Sequence, residues 1–215
     1  MKFIVLGASG KTGSWVVKLA QKKGHNITAV IRPSSNYQPP DGIKIIKGEV
    51  TEESFLKTIL DPESVLISCI GINRNGLSPW AKILSPSNLV ETINNNIINA
   101  LPNPSEIKLV WISAGGVGSS KNRSTWIIQR MINLGNIKIA YKDLESAEES
   151  IRNSELNYQT VRPVTLINGL PKKIAVRTSK YGLFSVARRS EVALWLIKAA
   201  ENLDKNSVKE VLISS

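Results

Sequence analysis

The sequence predicts an α/β fold built on a doubly wound, mostly parallel sheet, with residues 1–215 forming one domain. Three observations predict it. Strand-like and helix-like patterns alternate along the chain, which requires crossover connections between parallel strands. Apolar runs such as Ser64–Ile70 are near-continuous rather than alternating, as in strands buried on both faces. The first residues read as strand, glycine turn and helix: Met1-Lys2-Phe3-Ile4-Val5-Leu6 runs into Gly7-Ala8-Ser9-Gly10-Lys11-Thr12-Gly13, and an amphipathic segment follows from Ser14 to Lys23.

The remaining elements follow in order. Asn26–Ile31 is the second strand, after a polar turn holding His25, and Lys44–Lys47 is the third. Glu53–Leu60 is a short helix and Ser64–Ile70 a buried strand. Leu84–Leu101 is a long helix opened near Pro86. Ile107–Ser113 is the fifth strand, and Ile139–Asn153 an acid-rich helix with apolar residues at helical spacing. Asn157–Val161 is the sixth strand, stopped by Arg162-Pro163. Leu166–Arg188 has no regular pattern. A helix over Arg189–Glu201 carries Val192, Leu196 and Ala199 on one face, and Val208–Ile213 is the last strand.

The three glycines stand at three-residue spacing. Gly7 lets the chain leave the strand in a geometry that a side chain opposes, Gly10 lets the backbone approach a ligand, and Gly13 lets the helix pack on the strand. Such a turn aims free backbone N–H groups and a helix N-terminus at one point, which suits a phosphate or pyrophosphate. Gly10-Lys11-Thr12 also looks like the end of the G-x-x-x-x-G-K-[ST] loop of nucleotide hydrolases. That motif needs a glycine five residues before Gly10, where this chain has Val5. A dinucleotide is therefore the better expectation. The residue just past the second strand faces the adenosine ribose in this architecture, and an acid there favours NAD. Here it is Arg32, followed by Ser34 and Ser35, with no Asp or Glu between Gly13 and Asp41. A guanidinium with two hydroxyls suits a 2′-phosphate, so the expected cofactor is NADP(H).

Composition bounds the alternatives. The chain is 42% hydrophobic and 21% charged, ordinary for a globular protein. No apolar run reaches the ~18–20 residues that span a bilayer. The first strand starts at residue 2, so no leader segment is expected. A single Cys69 excludes an intrachain disulfide and a thiolate zinc site, which fits a reducing, cytoplasmic setting. The single His25, expected on the surface at the sheet end opposite the glycine turn, excludes imidazole metal clusters, so no metal is expected. The net charge of +11 and pI of about 9.8 suit anionic ligands. The basic residues form pairs rather than tracts, and no nucleic-acid-binding motif is present, so neither nucleic acid nor membrane is an expected partner.

Several segments together resemble one family. The pieces are Gly7 through Gly13, Val30-Ile31-Arg32, Gly48-Glu49-Val50, Cys69-Ile70-Gly71, Gly76-Leu77-Ser78-Pro79, Ile112-Ser113-Ala114 and Val161-Arg162-Pro163. In this order they resemble the atypical short-chain dehydrogenase/reductases of the NmrA-like group, and are most similar to the flavin reductase/biliverdin-IX-beta reductase type. The resemblance implies a Rossmann-like fold whose small irregular C-terminal segment lies on the substrate side. It implies that Gly7, Ala8, Ser9, Gly10, Lys11, Thr12 and Gly13 hold the pyrophosphate and that Arg32, Ser34 and Ser35 hold the 2′-phosphate. Glu49 and Val50 would flank the adenine, although the family more often has Asp at position 49. Cys69, Ile70 and Gly71 would line the cofactor cleft, Ser113 would sit near the nicotinamide, and Pro163 and Val164 would close over that end.

One departure bears on catalysis. Members of the superfamily typically use Tyr-x-x-x-Lys, in which Lys lowers the Tyr pKa. Four residues beyond Tyr37, Tyr141, Tyr158 and Tyr181 stand Asp41, Glu145, Arg162 and Ser185. A flavin or bilin acceptor fits that absence, because a conjugated acceptor takes hydride while solvent supplies the proton. Ser113 is then the candidate catalytic residue, donating a hydrogen bond to the nicotinamide amide or the acceptor; the alternative is a strand-end serine bonded to backbone. Asn73, Arg74, Trp80 and Trp126 are candidates for the mouth that receives a small anionic or aromatic acceptor, with core packing the alternative for the two indoles. A non-catalytic NADP(H)-binding sensor or assembly factor is the second expectation.

Overall fold

The computed structural model describes residues 1–76 and 78–215; Leu77, within the Gly76–Pro79 match, lies outside the described residues. Ten strands are β1 (Lys2–Leu6), β2 (Asn26–Ile31), β3 (Lys44–Lys47), β4 (Ser64–Ser68), β5 (Lys108–Ile112), β6 (Asn157–Pro163), β7 (Thr165–Ile167), β8 (Val176–Arg177), β9 (Val186–Arg188) and β10 (Glu210–Ser214). The helices are α1 (Gly13–Lys22), α2 (Glu53–Ile59), α3 (Leu89–Asn99), α4 (Trp126–Leu134), α5 (Ile137–Arg152) and α6 (Arg189–Glu201).

Eight strands form one sheet in the order β3-β2-β1-β4-β5-β6-β10-β8, a Rossmann-like arrangement in which only the β10–β8 pair is antiparallel. The register explains the apolar runs. Along β1, Phe3 and Val5 point into one core with α1 and α6, while Ile4 and Leu6 point into the other with α2, α3 and α5. Alternate residues face opposite sides, so burial of both sides makes every position apolar.

The structure departs from the sequence expectations in several places. The third helix begins at Leu89, not Leu84, because 84–88 belong to the preceding loop: Leu84 N–H donates to Asn73 O (2.9 Å) and Ser85 Oγ accepts from Asn73 N–H (3.0 Å). Strand β6 runs on through Arg162 and Pro163. The guanidinium is neutralised inside the protein, and Pro163 contributes its carbonyl, which accepts from Gly115 N–H at 2.9 Å. Helix α4 is absent from the sequence expectations, although Ile127, Ile128, Met131, Ile132 and Leu134 stand at helical spacing; only Ile132 of its nine residues is buried. His25 is not a free surface residue. Its side chain is 10% exposed, it bonds Glu201 at 2.8 Å, and its ring lies 4.5 Å from that of Phe3. Residues 166–188 carry β8 and β9 between irregular stretches; β8 joins the sheet edge and β9 pairs with β7.

Candidate functional site

The strand order reverses between β1 and β4, and a crevice opens there beyond the carboxyl ends of the two strands. The glycine turn leaves β1 on one side. Cys69, whose N–H donates to Leu6 O at 3.0 Å, continues β4 on the other.

The turn is shaped so that side chains cannot enter it. Gly7 has φ +71°, and a Cβ there would lie 3.1 Å from Ile70 Cγ1 and 3.3 Å from the Cys69 carbonyl carbon. A Cβ on Gly13 would fall 2.1 Å from Gly7 O, so the first turn of α1 rests directly on the loop. Gly10 N–H donates to Gly7 O (2.9 Å) and Ser14 N–H to Gly10 O (3.0 Å). The N–H groups of Ser9, Lys11, Thr12 and Gly13 find no acceptor among the described residues. Thr12 caps α1 without a side-chain hydrogen bond, and the first turn holds no acid. The helix therefore presents unsatisfied donors and the positive end of its dipole to the crevice.

An open cleft of about 540 Å³ lies before this turn. Of the expected residues, the structure gathers Gly10, Lys11, Thr12, Cys69, Gly71, Asn73 and Arg74 around it. Residues 73–76 and 78–85 are tied by hydrogen bonds: Asn75 N–H donates to Lys82 O (3.1 Å), and Arg74 donates from Nη1 to Ser78 O (3.1 Å), which holds its guanidinium beside the cleft. Arg189, at the start of α6, also lines the cleft and was missed in the sequence, where nothing sets it apart from other strand-end cations. Lys11, Arg74 and Arg189 thus face a space to which no lining residue brings a carboxylate. The thiol of Cys69 takes no part as an anion; burial pushes it up to about 12.

Other expected residues lie elsewhere. Arg32 and Ser34 are exposed just past β2, and Ser35 N–H donates to Arg32 O (3.0 Å) in a turn. Arg32 makes no ion pair among the described residues, and β3 aligns Ile31 with Lys47, so exposed Glu49 and half-buried Val50 emerge at the same sheet edge as Arg32. Ala8 and Val164 are core residues and Pro163 is buried at the end of β6; neither Pro163 nor Val164 lines the cleft. Trp80 and Trp126 are exposed on the surface and do not line it either.

Ser113 follows β5 and is buried, its N–H donating to Val161 O at 2.8 Å. Its hydroxyl donates to Glu148 Oε1 at 2.6 Å. The same carboxylate accepts from Arg162 Nε at 2.8 Å and from Nη2. Arg162 also donates to Ser119 Oγ and to Glu210 Oε2, both at 2.8 Å. The expectation that Ser113 donates toward a ligand is corrected: its proton is taken by Glu148, which leaves the hydroxyl only lone pairs to offer, and Ser113 does not itself line the cleft. The signal for this network was the pairing of an acid-rich helix with an arginine closing an apolar strand. Tyr141, on α5, donates to Gly115 O at 3.0 Å. Burial pushes its phenol well above the ordinary range, with Tyr181 adding to the shift and Arg74 opposing it, so Tyr141 keeps its proton.

A second concavity of about 380 Å³, between α6 and the β10 side of the sheet, includes none of the expected site residues.

Residues 7–203 match the sequence model of a family described as NAD(P)H-binding. A chloroplastic protein of Arabidopsis thaliana, At2g34460, is 25% identical over 176 residues, 79% of this chain and 61% of that protein. The chain spans less than two thirds of the length of the curated relatives it matches. Among solved structures, the anaerobilin reductase ChuY from Escherichia coli O157:H7 superposes with a TM-score of 0.74 at 20% identity, covering 99% of this chain and 96% of that one. A candidate NADH-flavin reductase from Streptococcus pneumoniae gives 0.71 at 20% identity, covering 100% and 99%. At such identities these two likenesses establish a shared fold.

Proposed function

The chain belongs to the NAD(P)H-binding family, and from that premise we propose that it is an NADPH-dependent oxidoreductase passing hydride to a planar, conjugated, anionic acceptor of flavin or bilin type. The observation that carries the reading is the glycine turn. It leaves the N–H groups of Ser9, Lys11, Thr12 and Gly13 unsatisfied among the described residues, and through Gly10, Lys11 and Thr12 it borders a cleft lined also by Arg74 and Arg189 and free of carboxylates. The residues fit a dinucleotide, since a Cβ on Gly7 or Gly13 would collide with the turn's own backbone or its neighbours. Gly7 through Gly13 would hold the pyrophosphate, Arg32 with Ser34 and Ser35 the 2′-phosphate, and Ser113 would accept a hydrogen bond from the carboxamide. The nicotinamide would supply the hydride. Arg74 and Arg189 would neutralise and orient the acceptor's carboxylates or phosphate. Tyr141 retains its proton, so the proton that completes the reduction would come from solvent. That ChuY is an anaerobilin reductase, and that a second relative in fold is a candidate flavin reductase, supports this acceptor class.

The test is NADPH oxidation by the purified chain against FMN and biliverdin, with Arg32→Ala alongside. The variant is expected to weaken NADPH by about tenfold to a hundredfold while leaving NADH within about twofold, since a charge-assisted pair contributes about 1.5–3 kcal/mol. Equal loss for both dinucleotides overturns the cofactor assignment. A second reading is favoured by the engagement of the Ser113 proton and the Tyr141 hydroxyl: a sensor that binds NADP(H) without turnover. Tight NADPH binding with no oxidation by either acceptor selects it.

A further inference from the structure

The charge of this protein is not spread evenly. Residues 72–88, 115–142 and 164–190 follow β4, β5 and β6 at the carboxyl edge of the sheet. Together they carry thirteen Lys and Arg and no Asp or Glu. The rest of the chain has fifteen such cations against seventeen carboxylates, so the whole excess of +11 arises from these three segments. Of the thirteen, only Lys121 and Arg188 pair with a carboxylate among the described residues.

The same segments expose large apolar side chains. Phe184 is 95% exposed and Trp126 is 73%; Leu134, Trp80, Leu183 and Ile127 are also exposed. Hydrogen bonds gather the three segments around α4. Tyr181 N–H donates to Arg123 O (3.0 Å), which brings the 181–184 stretch to the start of the helix. Asn136 Nδ2 donates to Trp80 O (2.7 Å) and Ile137 N–H to Pro79 O (2.9 Å), which bring the 79–80 turn to its end. Along α4, exposed Trp126, Ile127 and Leu134 are interspersed with Arg130.

We propose that this face docks on an anionic lipid surface, with α4 lying in the interfacial plane. Exposed aromatic and aliphatic side chains among cations of which only Lys121 and Arg188 pair with a carboxylate among the described residues are complementary to a negatively charged bilayer: the apolar groups enter the headgroup boundary and the cations meet lipid phosphates. Leu134, Leu183 and Ile127 distinguish this occupant from a nucleic acid, whose bases gain by stacking on rings and little from aliphatic chains. The projection of Phe184 from a loop suits insertion into a deformable surface rather than seating on a protein's fixed one. The absence of a spanning segment is no obstacle, because interfacial binding needs none.

Vesicle flotation with the full chain tests the proposal. Vesicles of phosphatidylglycerol and phosphatidylcholine should carry the protein at low salt, and phosphatidylcholine alone should not. The double variant Leu134→Ser/Phe184→Ser, at exposed positions and with its circular dichroism spectrum checked against the parent, should lower the partition coefficient by about tenfold. Tryptophan emission should shift to the blue on the anionic vesicles. No flotation with phosphatidylglycerol overturns the proposal, as does flotation that the double variant leaves unchanged. Retention on polyglutamate or single-stranded DNA that exceeds retention on vesicles at the same salt also overturns it, and assigns the face to a protein or nucleic-acid partner.

Discussion

Ser113 sits where a strand-end serine was expected, yet the side chain that decides its chemistry is Glu148, thirty-five residues away. The hydroxyl hydrogen belongs to that carboxylate, and Arg162 fixes the carboxylate in turn. A hydroxyl so held is oriented in advance and can only accept from a ligand. Ser113→Ala should therefore lower hydride transfer several-fold with little change in NADPH affinity, at a stability loss of about 1 kcal/mol for the missing buried bond. Single-turnover absorbance change and a denaturant midpoint read the two effects separately, and an unchanged rate removes Ser113 from the reaction. The glycines were legible because each one's need is local: Gly7 must take a positive φ, and Gly13 has the turn where its Cβ would stand. Arg189 was not, because a cation's role depends on which cleft the fold turns it toward. Glu148 was hidden for the same reason, since a buried acid on a helix looks like a solvated one until its arginine is found.

At the scale of elements, α3 depends on a residue outside itself. Asn88 gives no side-chain cap; instead Asp143 of α5 accepts from Val90 N–H (3.0 Å, Oδ2) and Glu91 N–H (2.9 Å, Oδ1). This bond sets both where α3 starts and how it docks on α5. Asp143→Ala should cost about 1–2 kcal/mol, in the range of a lost helix cap, and hydrogen exchange at Val90 and Glu91 should quicken before the rest of the helix. A uniform change along α3 would show that the cap is incidental. The misplaced start at Leu84 follows from this tertiary cap, which sequence spacing cannot show. Strands β1, β2 and β4 were readable because burial on both faces leaves an unbroken apolar run. Helix α4 went unread although its apolar residues recur at helical spacing, because it follows an irregular stretch with no side-chain cap to mark its start.

Across the whole molecule, buried ion pairs shape the response to acid. Burial alone would raise the Glu210 carboxyl, but hydrogen bonds from Arg152 and the charge of Arg162 outweigh it and hold the group below its ordinary 4.5. A folded-state value below the unfolded one contributes stability at pH above about 4.5, which is lost as pH falls through the folded value. Glu210→Gln should thus be less stable than the parent by about 2 kcal/mol at neutral pH, and the difference should shrink progressively below pH 4.5. Urea midpoints measured from neutral to acid pH check this; a constant gap would place the effect outside titration. The architecture was visible in advance because alternation and a glycine turn suffice to specify a doubly wound sheet. Of the cleft's far wall Asn73 and Arg74 were expected, but the course of the chain there was not, since residues 73–76 and 78–85 are ordered by bonds among themselves rather than by any periodic pattern.

The margins of the sheet carry one more consequence. On one side β3 reads Lys-Ile-Ile-Lys with both lysines exposed; on the other, β8 is two residues long and runs against its neighbour. A foreign strand seeking to extend the ladder would meet ammonium groups at one border and almost no free backbone at the other. Copies of this protein are thereby steered away from edge-to-edge polymerisation.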